Sequence, residues 1–287
     1  MRYGFIAEYR QEHRIVLLCK VMGVSRSGYY LWYRRQEDGQ SRAESFLLEE
    51  IERVYKQHKG RYGSPRISRQ LQVEGIPVSK NRVARLMRKH GIVAKTKKKF
   101  KITTNSKRTK AVSEDLLQQN FVAVEPNRVW TSDITYVWTK EGWLYLTIVL
   151  DVFSRMIVGW SVNVRLTSTG VLDAILRAVE HRTVSPGLIF HSDRGSQYAS
   201  TEVRSVLQAH KMRQSMSGKG NCYDNAITET VFHTIKTEEI FFHHYDTRKE
   251  ATQSIFEYIE IYYNRQRSHS ALNYLSPTEF EKLYFFS

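Results

Sequence analysis

The sequence predicts an α/β domain, a mixed sheet covered by helices, preceded by an all-α basic region of helix-turn-helix type. Three observations predict it. Residues 128–162 show strand-like alternation and short β-prone apolar runs, whereas residues 11–93 carry apolar side chains at helical spacing. From about residue 125 the order reads three strands, helix, strand, helix, a pattern that suits a sheet with helical cover. Charge is also divided: residues 1–110 hold 27 of the 44 Lys and Arg but only 9 of the 29 Asp and Glu.

In residues 11–35 two short helices are expected. Ile15, Leu18, Cys19 and Met22 share a face, Gly23 breaks the run, and Ser25 caps a second helix carrying Tyr29, Tyr30, Trp32 and Tyr33. A separate helix is expected over 42–58, with Leu47, Ile51, Val54, Tyr55 and His58 on one face. Residues 62–93 read as a helix-turn-helix. Ser64 is the expected N-cap and Pro65 the first helical residue, with Ile67 and Leu71 inward and Gly75 just past the end. Ser79 then caps a helix whose apolar stripe is Val83, Leu86 and Met87, and Gly91 stops it. Arg82, Arg85 and Lys89 share another face of that helix, as a major-groove reader needs; a hairpin with solvated cations would look the same. Residues 95–111 lack periodicity and read as a basic linker.

Beyond the linker, strands are expected over Arg128–Trp138, Trp143–Leu150, Arg155–Val162 and Gly187–Phe190. Leu172, Ile175, Leu176 and Val179 mark one helix, and Glu202–His210 another. The expected domains are 1–60 (helical), 61–94 (helix-turn-helix), 95–120 (linker), 121–240 (core) and 241–287 (helical tail).

Composition narrows the function. With 41% hydrophobic residues, the 287-residue chain can bury real cores. No apolar run reaches the roughly eighteen residues that span a bilayer. The opening Met1-Arg2-Tyr3-Gly4-Phe5 has no signal-peptide pattern. Cys19 and Cys222 stand too far apart to suggest a disulfide framework or a zinc module, and a reducing cytoplasm is the expected location. A net charge of +15, concentrated in the first 110 residues, points to a polyanion such as DNA. A basic surface serving solubility is the plainer alternative, and a membrane surface is disfavoured.

Three carboxylates carry the chemistry. Asp133 interrupts a strand, where an acid is disfavoured and costly to bury without a partner. Asp193 follows the short apolar strand 187–190, a position that also suits a turn or cap. Glu229 lies on a helix expected over residues 224–240, where Asn225, Glu229 and Lys236 fall within about 40° of one another. His233 lies beside them, and Ile227, Val231 and Ile235 face the core. On its own, Glu229 with Lys236 is an ordinary exposed helix face. As a set, three hard oxygen ligands suit magnesium or manganese. Two such ions, roughly 3.5–4 Å apart, activate one oxygen and stabilise another as it departs.

Three segments extend this reading: Trp130-Thr131-Ser132-Asp133-Ile134-Thr135, His191-Ser192-Asp193-Arg194-Gly195-Ser196-Gln197-Tyr198, and Asp224-Asn225-Ala226 ahead of Glu229. Thirty-five residues separate Asp193 from Glu229, and Lys236 follows seven later. The tail runs Tyr263-Asn264, then Arg267-Ser268-His269-Ser270-Ala271-Leu272, then Ser276-Pro277. Over nearly its whole length the chain resembles the second-reading-frame (OrfB) transposases of bacterial insertion sequences, and its core resembles retroviral integrase. The resemblance implies an RNase H-like fold with a mixed five-stranded sheet and a magnesium-dependent transposase that cuts and joins DNA strands. It makes Asp133, Asp193 and Glu229 catalytic metal ligands and Lys236 a DNA contact. It also implies a homo-oligomer on element ends and a companion first-frame protein. A catalytically silent DNA-binding regulator and a purely hydrolytic nuclease are the rival readings.

Overall fold

A computed structural model describes residues 2–95, 113–118, 123–218 and 226–286, with the backbone alone at 35–41. Most of the predicted linker, together with Cys222, Asp224 and Asn225, lies outside the described residues. The chain divides into two compact units, residues 1–94 and 95–287.

The first unit is helical throughout: α1 (Arg2–Tyr9), α2 (Ile15–Val21), α3 (Arg26–Gln57), α4 (Ser64–Val73) and α5 (Lys80–Lys89). Ser25 caps α3 by accepting from Gly28 N at 3.0 Å. The two helices expected on either side of residue 40 are one. The intervening stretch is polar but holds no proline, and a glycine at 39 costs a helix only about 1 kcal/mol. One end of α3 packs with α1 and α2 around Ile6, Leu18, Cys19 and Tyr29. Its other end, with Leu47, Ile51 and Val54 buried, supports α4 and α5. Ile67, Leu71, Val83 and Leu86 are fully buried, as their spacing predicted. Ser79 caps α5 through Arg82 N. The N-cap of α4 is Gly63, so Ser64 is the first helical residue and not the cap expected of it. Gly75 and Gly91 adopt φ of +84° and +66°, the left-handed conformation that ends each helix.

The second unit is built on β1 (Val129–Thr139), β2 (Gly142–Asp151), β3 (Ile157–Asn163), β4 (Ile189–Ser192) and β5 (Arg213–Met216), in the order β3-β2-β1-β4-β5. The first three strands form an antiparallel meander, and β4 and β5 join it in parallel. The mixed five-stranded sheet is therefore as expected. Strand β4 starts two residues later than predicted, because Gly187 (φ +90°) is part of a turn. Strand β3 likewise starts at Ile157, after Arg155 at φ +58°. α6 (Ser168–His181) packs on β2 and β3, and α7 (Thr201–Ala209) precedes β5. The approach of α6 requires Gly159: a Cβ there would stand 2.2 Å from the Ala174 carbonyl oxygen. Trp130, Val149, Val171, Ile175, Phe190, Val203 and Met216 belong to the core, while Leu176, one of the residues that marked this helix, is 48% exposed.

α8 (Ala226–Glu238) lies against β1, and α9 (Arg248–Phe256) runs into a π-helical stretch, Glu257–Tyr263, before α10 (Pro277–Phe286). The tail belongs to the same unit as the sheet. Asn264 accepts from Ile157 N at 3.0 Å and donates to Ile157 O at 2.9 Å. Residues 113–118, placed in the predicted linker, lie along β5: Met216 N donates to Glu114 O, and Leu116 N to Ser215 Oγ. Among the described residues no helix is long and apolar enough to cross a membrane.

Candidate functional site

Strand register brings the first two carboxylates together. Strands β1 and β4 run parallel, with Ser132 opposite Ser192 as the last pair. The next residue on each strand is an acid, Asp133 and Asp193. Neighbouring strands lie about 4.8 Å apart, and matching positions on parallel strands point to the same face. Thr131 and Thr135 share that face of β1 and are buried.

Local hydrogen bonds hold both acids. Asp133 accepts from Ile134 N at 2.8 Å and Asp193 from Gly195 N at 2.8 Å. A Cβ on residue 195 would come within 2.8 Å of Asp193 Oδ1, so glycine is what permits that turn. Ser217 N donates to Ser192 O at 3.0 Å and Arg194 Nε to Ser217 O at 2.6 Å, which ties the end of β4 to the end of β5. Beneath the acids, Tyr198 is buried and its hydroxyl is 2.9 Å from Ser132 Oγ.

Helix α8 brings the third acid. Thr228 is fully buried and donates to Thr131 Oγ1 at 2.7 Å, two residues before Asp133 on β1. Glu229 follows in the first turn of α8. Val231 and Ile235 face the core, and Ile227 packs against Leu117, Val129 and Val152, as expected. Lys236 sits with its Nζ 4.7 Å from the centre of the Tyr136 ring.

Electrostatics show that these groups sense one another. Burial and the neighbouring Asp193 and Glu229 charges push the Asp133 carboxyl up to about 7, against the Ile134 N–H and Lys236, which pull it down. Burial raises both Asp193 and Glu229. Burial also pushes the Tyr198 hydroxyl well up, helped by Asp133 and Asp193, so it stays protonated. Lys236 is lowered by burial and held up by Asp133. Among the described residues no three Asp, Glu, His or Cys side chains are gathered closely enough to hold an ion as they stand. The donor set nevertheless fits a divalent metal: hard oxygens only, mutually repelling, with one lysine against three acids.

The structure thus brings Asp133, Asp193, Glu229 and Lys236 to one region. Arg82, Arg85 and Lys89 belong to the other unit, on α5. Lys89 pairs with Glu44 on α3 at 2.5 Å, and Lys89 and Arg85 both lower the Glu44 carboxyl. Arg82 is exposed and makes no ion pair among the described residues. Sequence reasoning missed three supports. Thr228 and Tyr198 lay beside residues already singled out, so their positions were available. The third was not: Glu238, at the end of α8, accepts two hydrogen bonds from Arg267, at 2.7 and 2.9 Å, and one from Tyr258 at 2.8 Å. Only the folded tail brings those partners together.

Comparison with known proteins follows this division. The family described as Integrase core domain matches residues 123–222, and a second family of that description matches 229–284. An HTH-like domain family matches residues 41–100. Transposase InsF for insertion sequence IS3A, from Escherichia coli strain K12, is 40% identical over 287 residues, covering 98% of both chains. An uncharacterized 31 kDa protein of insertion element IS600, from Shigella sonnei, is 41% identical over 267 residues, 93% of this chain and 98% of that one. Among solved structures, the catalytic core domain of HTLV-2 integrase in complex with magnesium overlaps 55% of this chain and 99% of its own, with a TM-score of 0.44 and 16% identity.

Proposed function

Since the chain belongs to the IS3 family of insertion-sequence transposases, we propose that it is a polynucleotidyl transferase that hydrolyses phosphodiesters at element ends and joins the freed 3′-hydroxyl to target DNA. The supporting observation is the Ser132–Ser192 pairing, after which two parallel strands run directly into Asp133 and Asp193. A divalent metal ion, magnesium or manganese, would polarise the phosphodiester and favour deprotonation of the attacking hydroxyl. Asp133 and Asp193 would hold it jointly and Glu229 would complete the set. The repulsion that Asp133 feels from Asp193 and Glu229 favours cation binding. Lys236, half-buried beside them, places a positive charge where a phosphate of the cut strand would lie. Tyr198 stays protonated below the acids and props the strand ends through Ser132. In the helical unit, α5 would read duplex DNA, with Arg82 the most available cation and Arg85 and Lys89 beside it. A homo-oligomer on paired ends and a first-frame companion protein complete the reading.

The test is a strand-transfer assay with magnesium on duplexes carrying the ends of the element. Wild-type protein should give joined product. Asp133→Asn, Asp193→Asn and Glu229→Gln should each lose cleavage and joining by roughly a thousand-fold or more, the several kcal/mol that metal-assisted catalysis supplies, with duplex binding retained. Cleavage without joining would reassign the chain as a nuclease. Binding without either would make it a regulator.

A further inference from the structure

The hairpin of β1 and β2 carries three aromatic rings that no core absorbs. Tyr136, Trp138 and Trp143 are 48%, 57% and 44% exposed. Trp138 and Trp143 are cross-strand partners with ring centres 4.7 Å apart, and Tyr136 meets Trp143 edge-on at 5.2 Å. Large exposed aromatics in a contiguous group mark binding surfaces more often than chance. This group is also held still. Lys140 N donates to Tyr245 O at 3.1 Å, Arg248 N to Glu141 Oε2 at 2.8 Å, and Thr139 Oγ1 to Gly142 O at 2.7 Å. Lys236 joins the group to the acids, lying over the Tyr136 ring while sensing the charge of Asp133.

We propose that Tyr136, Trp138 and Trp143 form a stacking platform for an unpaired base of the DNA strand being cut, a proposal that rests on the DNA-cleaving reading above. Flat rings beside a cation match a nucleobase joined to a phosphate: the base stacks and the phosphate meets Lys236. A paired base keeps its faces inside the duplex, so the occupant is a base withdrawn from the stack next to the scissile bond. The cation argues against a purely apolar protein partner.

The experiment uses the full chain, free of metal, and an oligothymidylate as probe, in salt high enough to weaken phosphate contacts. Binding is followed by fluorescence anisotropy of the labelled oligonucleotide and by tryptophan quenching, and melting of each variant reports its folding. The Trp138→Leu/Trp143→Leu variant, apolar but without rings, should lose about five-fold or more in affinity and most of the quenching, as stacking of one base or more predicts. The Trp138→Phe/Trp143→Phe variant should stay within about two-fold of wild type. Wild-type affinity in the Leu variant overturns the proposal. So does loss of self-association with unchanged oligonucleotide binding, which would make the face a contact between copies of this chain. Asp133→Asn should bind the probe normally. If platform variants bind normally while Asp133→Asn fails to cleave, the platform falls and the catalytic reading stands. If wild type itself never cleaves yet the Leu variant loses binding, the catalytic reading falls, and with it the cut strand as occupant.

Discussion

The sheet unit holds two kinds of carboxylate: Asp151, Glu238 and Glu281 are buried, whereas Asp133 and Glu229 are partly exposed and Asp193 is exposed. Asp151 and Glu281 share the guanidinium of Arg182, at 3.3 and 2.6 Å, and Glu238 takes both arms of Arg267. Asp151 also accepts from Asn127 N and Phe153 N at 2.8 and 2.9 Å. Burial still raises its carboxyl, but those donors and Arg182 pull it back. Burial alone would lower Arg267, yet the Glu238 carboxylate more than offsets this and leaves it raised. Among the described residues Asp133, Asp193 and Glu229 make no ion pair with a guanidinium, and the Asp193 and Glu229 charges oppose ionisation of Asp133. Paired acids hold the tail to the sheet. Acids left without such a partner are where function concentrates.

The largest effect separating the two kinds should come from breaking a pair. Arg267→Met leaves Glu238 buried without its cation and should cost about 3–5 kcal/mol in urea unfolding. It should also disorder the end of α8, lowering joining more than duplex binding. A cost under about 1 kcal/mol would mean that water reaches Glu238.

The next prediction sharpens the contrast through pH. The folded-state pKa of Asp133, about 7, lies above its ordinary value of 3.8. Folding therefore favours its protonated form, and that contribution is complete below about pH 4 and lost as pH rises through 7. In metal-free buffer Asp133→Asn should gain on wild type as pH rises from 4 to 8, by at most about 4 kcal/mol for a shift of this size. A pH-independent difference between the two would show that the acid is not under strain.

Those tests concern contacts of different legibility. The alternation of β1 and the continuous apolar run of β2 were readable because each strand buries its own side chains. The Val83, Leu86 and Met87 stripe of α5 was readable for the same reason. Strand β5, Arg213-Gln214-Ser215-Met216, has little apolar pattern and becomes a strand by pairing with β4. The unity of α3 was hidden by the polar run with Gly39, which local rules read as a break. Asp133, Asp193 and Glu229 were readable as a set through the words around them, and their proximity follows from a register that single residues do not encode. Arg267 with Glu238 was unreadable, since they stand 29 positions apart.

Smaller effects are expected at the cations. Lys236→Ala should lower joining roughly ten-fold, as loss of one charge-assisted phosphate contact would, while leaving manganese affinity nearly unchanged. Lys236→Arg should recover part of it. Full joining by Lys236→Ala would place the lysine outside the reaction. In the helical unit, Arg82→Ala should weaken duplex binding more than Lys89→Ala does, by about 1 kcal/mol, because Lys89 already answers Glu44. Equal losses, measured by titration at one salt concentration, would show that the Glu44 pair opens freely on DNA.

The ends of the sheet carry a different consequence. The amide of Asn264 imitates one residue of an added strand on β3, satisfying both the N–H and the carbonyl of Ile157. At the opposite border, Glu114 O accepts the Met216 N–H of β5, and Leu116 N donates to the Ser215 hydroxyl beside it. Open strand borders invite sheet-to-sheet aggregation. A protein whose proposed work requires several copies crowded on one DNA would face that hazard at high local concentration. Occupying each border at these points removes part of the template for such pairing and shifts the choice of which copies meet toward the nucleic acid and other surfaces.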